Sequence, residues 1–220
     1  MIHAVDCISR FITYGDAKET HIVYDLPEAW WSRHYEYVWA GRFATSSDVV
    51  LDVACGVCHP FKFYLGTIAK EVYACDSDPR IVSKNEIIQD IKDSIGEKVY
   101  SEFDDSLFDN VQLALCDMTQ MPYADNRFDK VYCISVLEHV DELVQLKALL
   151  EFSRVLKDDG LIVLTVDYPN VHMDSLMELM KKANLKFYGD YDFSVPDNAI
   201  STTMWGPELK CIRLLLCKMV

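Results

Sequence analysis

No apolar run in this chain reaches the roughly 20 residues that a membrane helix needs. The most apolar tail, residues 209 to 220, is interrupted by Lys210, Arg213 and Lys218, and it suits an inner strand of a sheet. Basic clusters are also missing. Lysine and arginine number 21 against 35 aspartates and glutamates, a formal net charge of -14, and the longest basic run is Lys181-Lys182. Nucleic-acid binding rests on lysine and arginine contacts to phosphate, so this balance argues against DNA, RNA and anionic membranes as partners. Cys55 and Cys58 stand at CxxC spacing, but no second pair repeats it. A four-ligand zinc site would need one, so no metal is expected. The opening MIHAVDCISRF lacks a basic start and a sustained apolar run, so no cleaved leader is predicted.

What is present describes one folded domain. The 220 residues are 50% hydrophobic and 25% charged, shares ordinary for a globular protein with a substantial core. Of the 8 cysteines, Cys55, Cys75, Cys116, Cys133, Cys211 and Cys217 lie in or beside apolar segments, as free thiols do. Unpaired cysteines point to a reducing compartment, and a cytoplasmic location is expected.

Residues 1–44 read as an N-terminal arm with an aromatic helix, and 45–220 as the main domain. In EAWWSRHYEYVWAGRF, Trp30, Trp31, Tyr35, Val38 and Trp39 recur at helical spacing, either packing on the main body or closing over a ligand. From residue 49 strands and helices alternate. The first strand spans 49–53, and Pro60 opens a helix. The second strand ends at Asp76, and Pro79 opens a helix that turns Ile81, Ile87, Ile88 and Ile91 inward. A third strand follows near 110–117 and a fourth at 128–135. A helix at 141–156 leads to a turn at Gly160, a fifth strand at 161–168 and a helix at 172–183. LKFYGDYDF and CIRLLLCKM are the last two strands. Such alternation implies right-handed βαβ units and a parallel sheet, with the late pair as an antiparallel edge.

Ligands of open α/β sheets bind at the carboxyl ends of the strands. Those ends carry Asp52 with the loop 54–59, then Asp76 and Asp78, then Asp117 and Met118, then Ile134, Ser135, Glu138 and His139, and finally Asp167 and Tyr168. Acids at three neighbouring strand ends make a poor home for pyrophosphate. Asp76 suits a ribose, whose paired hydroxyls both donate to one carboxylate. Asp117 suits an adenine amino group and Asp52 an ammonium. The implied ligand is an adenosine bearing a positive group rather than a dinucleotide.

VVLDVACGVC, VYACDSDP, ALCDMTQMPYADNRFDKVYCISVLEHV and LKDDGLIVLTV, in this order and spacing, resemble the class I methyltransferases that use S-adenosylmethionine. The resemblance covers residues 48–166. It implies a Rossmann-like α/β fold: a seven-stranded, mostly parallel sheet with helices on both faces and an antiparallel last strand. It implies S-adenosyl-L-methionine as cofactor. Asp52, Ala54, Cys55 and Gly56 would then line the methionine moiety. Asp76 would hold the ribose hydroxyls with Ser77 and Asp78 beside it, Asp117 and Met118 would meet the adenine, and Ile134 would lie near the sulfonium. The sequence departs from the family's glycine pattern at Ala54 and Cys58. Alanine and cysteine disfavour backbone angles that glycine allows, so a differently shaped loop is expected. GVCHPFKFYL and WWSRHYEYVW, with the pair Glu36-Tyr37, are similar to methyltransferases of polysaccharide and natural-product pathways, which favours a small-molecule acceptor.

Methyl transfer from a sulfonium is an in-line displacement governed by alignment and desolvation, and an oxygen nucleophile also benefits from a base titrating near pH 7. His139, His59 and His34 are candidates for that base. Their alternatives are a helix-start residue, a cap for the helix at Pro60, and a surface residue. Tyr35, with Trp30, Trp31 and Tyr37, would wall the acceptor, and Tyr168 would help from the other side. Arg33 either pairs a carboxylate of cofactor or substrate or is a surface group. Glu138 is expected to cap the following helix. The reading is methyl transfer to an oxygen or nitrogen of a small molecule. Its rivals are a protein methyltransferase, a binding protein that kept the fold without turnover, and an NAD-linked oxidoreductase, whose GxGxxG pattern fits this loop less well.

Overall fold

The strand around Leu51 carries Val50, Leu51 and Val53 at 0% exposure, as expected where helices cover both faces of a parallel sheet. The computed structural model describes residues 3–219. Its strands are β1 (Ser9–Phe11), β2 (Val49–Val53), β3 (Glu71–Asp76), β4 (Val111–Leu115), β5 (Phe128–Ile134), β6 (Leu156–Tyr168), β7 (Leu185–Phe187), β8 (Tyr191–Asp192), β9 (Ser201–Thr202) and β10 (Leu209–Lys218). Its α-helices are α1 (Arg33–Gly41), α2 (Phe61–Gly66), α3 (Lys84–Ser94), α4 (Glu97–Glu102), α5 (Glu142–Val155) and α6 (Met173–Lys182).

The strand order is β4-β3-β2-β5-β6-β10. Strands β2 to β6 pair in parallel, and β10 runs antiparallel to β6 from Lys210 opposite Tyr168 to Leu216 opposite Ile162. The order reverses between β2 and β5, which places the ligand crevice of such sheets beyond Val53 and Ile134. Successive residues of each strand serve opposite faces. Leu51, Val131 and Ile162 pack with Leu149, Phe152 and Leu176 of α5 and α6. Val50, Tyr132 and Val163 pack with Trp39, Phe61 and Ile87 of α1, α2 and α3.

The edge beyond β10 departs from the expected seven strands. Short segments occupy it in succession: β9 against Leu209 and Lys210, β1 against Ile212 and Arg213, and β7 against Leu216 to Lys218. A long strand leaves a row of backbone donors and acceptors to satisfy, and here several short pieces do so. One of them, Ser9–Phe11, comes from the N-terminal segment, and β8 pairs beyond it. Gly160 is not a turn, because β6 runs through it with a register shift opposite Phe128 and Lys130. A Cβ there would meet Leu156 Cδ1 at 2.7 Å and the Asp129 carbonyl oxygen at 3.0 Å. The helix expected from Pro79 is a 3-10 turn, Pro79–Val82, followed by α3, which Ser83 caps. The aromatic helix begins only at Arg33, leaving Trp30 and Trp31 in the turn before it.

Candidate functional site

The loop after β2 is shaped by two left-handed residues, Ala54 at φ +52° and Gly56 at φ +65°. Ala54 thus takes a backbone conformation that favours glycine. Its Cβ costs about 1 kcal/mol there. A side chain at Gly56 would be strained at this φ and would displace the His59 ring, since a Cβ would lie 2.4 Å from His59 Cδ2. The Gly56 N–H donates to Asp76 Oδ2 at 2.8 Å, and the Asp78 N–H donates to Asp76 Oδ1 at 2.9 Å. Both oxygens are thereby oriented while keeping lone pairs for further donors. Under the loop, the buried Lys62 ammonium donates to the carbonyls of Gly56, Val57 and His59 at 2.7, 2.9 and 2.6 Å.

Asp52 lies beneath this loop, 2% exposed, and its Oδ2 has no partner. Burial pushes its carboxyl up to about 7, the Lys62 charge opposing and Asp76 adding to the rise. His59 is held from two sides. Tyr37 OH lies 2.7 Å from its Nδ1, and Trp30 stacks on its ring at 4.2 Å. Burial, then the charges of Arg33 and Lys62, hold His59 well below the usual imidazole range.

A second network anchors α1 to the sheet. The Arg33 guanidinium donates to Glu36 Oε2 at 2.5 Å, and the Ser135 and Thr165 hydroxyls each donate to Glu36 Oε1 at 2.6 Å. Burial raises the Glu36 carboxyl, but Arg33 and the two hydroxyls outweigh it, and the net shift is downward. Ser135 itself takes φ +48° at the end of β5.

Two cavities meet at Arg33 and His59. The smaller, about 90 Å³, is lined by Asp52, Ala54, Cys55, Gly56, Ile134 and Ser135 among others. The larger, about 440 Å³, is walled by Trp30, Trp31, Trp205, Pro207 and Leu209, with His139 and Asp167. The structure therefore brings together Asp52, the 54–56 loop, Ile134, His59 and His139. Asp76 adjoins them through Gly56. Ser77 is exposed. Asp78 turns both oxygens to Arg80. Asp117 is exposed, its Oδ1 taken by the Thr119 N–H and hydroxyl, and Met118 packs partly on the core. Tyr35 stands apart from His59 and His139, lining another cavity with Tyr14, Lys18 and the third candidate histidine, His34. Tyr168 faces Phe11 edge-on at 5.5 Å, away from this site. Glu138 does not cap α5, which Asp141 caps. Instead Glu138 Oε1 accepts the Asp167 N–H at 3.2 Å.

Residues 51–164, just over half of the 220, match the family described as a methyltransferase domain. The chain belongs to the class I S-adenosylmethionine-dependent methyltransferases. As a member of that family it is similar to the sterol 24-C-methyltransferase of Pneumocystis carinii, 29% identical over 167 residues, 72% of this chain and 39% of that protein. It is also similar to methyltransferase GfsG of Streptomyces halstedii, 28% identical over 149 residues, 68% of this chain and 48% of that protein. The methyltransferase chain spans less than half the length of the curated relatives it matches. Among solved structures, the cyclase SpnF shares the fold at TM-score 0.62 and 15% identity, covering 96% of this chain and 86% of its own.

The residues fit the cofactor this methyltransferase family implies. The smaller cavity offers an unpartnered buried carboxylate, Asp52, to a cation, and the Gly56 backbone lies on its lining. Arg33, on its rim, offers a guanidinium to a carboxylate. Lys62 escaped sequence reading, although its place between Phe61 and Phe63 is a signal. A lysine on the inner face of a short apolar helix must find acceptors nearby. The segment 194–208 reads from sequence as either a further wall of the acceptor site or a surface connector, and its Trp205 lines the larger cavity. No group of three or more histidine, cysteine or acidic side chains among the described residues is placed to hold a metal.

Proposed function

We propose that this chain transfers the methyl group of S-adenosylmethionine to an oxygen or nitrogen of a small molecule. One observation carries the reading: a small carboxylate-lined cavity at the sheet's switch point opens, past Arg33 and His59, onto an indole-walled chamber. The bound cofactor supplies a methyl already activated by its sulfonium. The protein's tasks are alignment and exclusion of water. Asp52 would hold the cofactor's ammonium and Arg33 its carboxylate, with Ala54, Cys55 and Gly56 lining the methionine moiety. Asp76 would take the ribose hydroxyls, with Ser77 and Asp78 beside it. Asp117 and Met118 would meet the adenine, and Ile134 the sulfonium side.

The chamber of about 440 Å³ suits a small-molecule acceptor. His139 and His59 face it, and burial followed by the Arg33 charge lowers both. Both shifts favour the neutral imidazole, the form that accepts a proton, and the deeper shift makes His59 the weaker base of the two. In the tautomer whose Nδ1–H donates to the Tyr37 oxygen, His59 Nε2 would be the nitrogen that accepts. The eight free cysteines suit a reducing compartment, and a cytoplasmic site of action is part of the proposal. Calorimetric titration with S-adenosylmethionine and S-adenosylhomocysteine tests it. Micromolar binding, weakened at least about tenfold in Asp76→Ala, is expected. Folded protein that gives neither heat nor a thermal shift with either ligand would overturn the reading.

A further inference from the structure

We infer that the larger chamber recognises a cationic amine head group, seated on Asp167 and walled by Trp30, Trp31 and Trp205. As a statement about the methyl acceptor, this rests on the proposed transferase reading. As a statement about binding, it stands on the chamber alone.

Asp167 lines the chamber at the end of β6, is 9% exposed, and its Oδ1 has no partner. Behind it lies Glu138, also 9% exposed, with an unpartnered Oε2. Two buried carboxyls with open lone pairs call for donors, and an unpaired buried carboxylate calls for positive charge. Among the described residues no ion pair supplies that charge, although the Arg33 guanidinium opposes the rise of both carboxyls from a distance. Among the described residues Arg33 is the cation lining the chamber, and Glu36 neutralises it through a buried ion pair at 2.5 Å. His59 and His139, both held below the usual imidazole range, add none. With these groups in place Asp167, pushed up to about 7 by burial, is the chamber's open acid, and a cation seated beside it would favour its ionised form.

The walls agree with the floor. Indole faces attract ammonium groups through the ring quadrupole, most strongly where water is excluded. Trp205 is 67% exposed yet lines the chamber, beside Gly206 at φ +118°. Contact with a ligand would bury that indole. A phosphorylated or carboxylated acceptor would meet repulsion at Asp167. A neutral polyol would meet its lone pairs but leave its charge unanswered.

The test titrates the protein with 2-phenylethylamine, 2-phenylethanol and phenylacetate, which share one scaffold and differ in charge. Calorimetry and tryptophan fluorescence are read with and without saturating S-adenosylhomocysteine. The amine is expected to bind at least about tenfold tighter than the other two, and Asp167→Asn to erase that preference. Trp205→Ala, at an exposed position, is expected to weaken the amine several-fold and serves if Asp167→Asn does not fold. Equal or tighter binding of the alcohol or the carboxylate, or no binding of any probe, overturns the inference. S-adenosylhomocysteine binding without amine preference overturns this inference alone. Amine preference without S-adenosylhomocysteine binding overturns the transferase reading alone.

Discussion

The Lys62 ammonium donates to the Gly56 carbonyl at 2.7 Å, tying the first turn of α2 to the tip of the loop before it. The same group reaches Val57 and His59, so one buried cation organises the whole turn. It also faces Asp52, whose charge it favours.

Lys62→Met keeps the stem and removes the charge. Three carbonyls then lose their donor in a buried setting. A loss of about 3 kcal/mol in urea unfolding is expected. S-adenosylhomocysteine binding should fall with it. A variant within about 0.5 kcal/mol of wild type would show that the lysine is not the organiser.

The loop's two left-handed residues should respond in opposite directions. Gly56→Ala places a Cβ against His59 and is expected to cost about 2 kcal/mol or more. Ala54→Gly relieves φ +52° but frees the unfolded chain, so its melting temperature should match or slightly exceed wild type. An Ala54→Gly variant that melts well below wild type would contradict this geometry.

Glu36→Gln leaves the Arg33 guanidinium buried without a counter-charge, and about 3 kcal/mol of stability should be lost. Ser135→Ala removes one donor to the same oxygen. In the double variant the two effects should fall short of their sum, because they share one carboxylate. Strict additivity in denaturant melts would argue that Ser135 and Glu36 are independent.

The pH dependence has a definite sign. Asp52 and Asp167 sit at about 7 and Glu138 at about 8 in the folded protein, against roughly 4 for unfolded carboxyls. The folded state therefore holds more protons across that window. Stability from these groups is full below about pH 4 and is lost as pH rises through 7 to 8, by on the order of 1 kcal/mol per group and pH unit. Glu36, shifted down, works the other way and loses its contribution in acid. The melting temperature should fall from pH 5.5 to 8, less so in Asp52→Asn. A flat wild-type profile would remove the case for buried neutral Asp52. Cofactor binding should tighten over the same range, because only ionised Asp52 attracts an ammonium.

Much of the sheet was legible because its signals are local. The run at 49–53, the run ending at Asp76 and the run at 128–135 read as buried strands, and strands stand at Val49–Val53, Glu71–Asp76 and Phe128–Ile134. The far edge was not legible. Ser9–Phe11, Tyr191–Asp192 and Ser201–Thr202 are too short to show a period, and they are strands because β10 offers them partners. In the aromatic segment, Trp39 is buried in the core, Tyr37 is buried there and also lines the smaller cavity, and Trp30 and Trp31 line the chamber.

The sequence by itself determined the βαβ order, the acids at the strand ends and the family, since spacing along the chain carries all three. The tertiary structure alone decided which of those acids lack partners. Asp78 and Asp117 are satisfied by neighbours two residues away. Asp52, Glu138 and Asp167 keep open oxygens because helices and strands from distant parts of the chain close over them without offering a donor. The charge state of a buried carboxyl depends on everything packed around it, and only the folded chain assembles those surroundings.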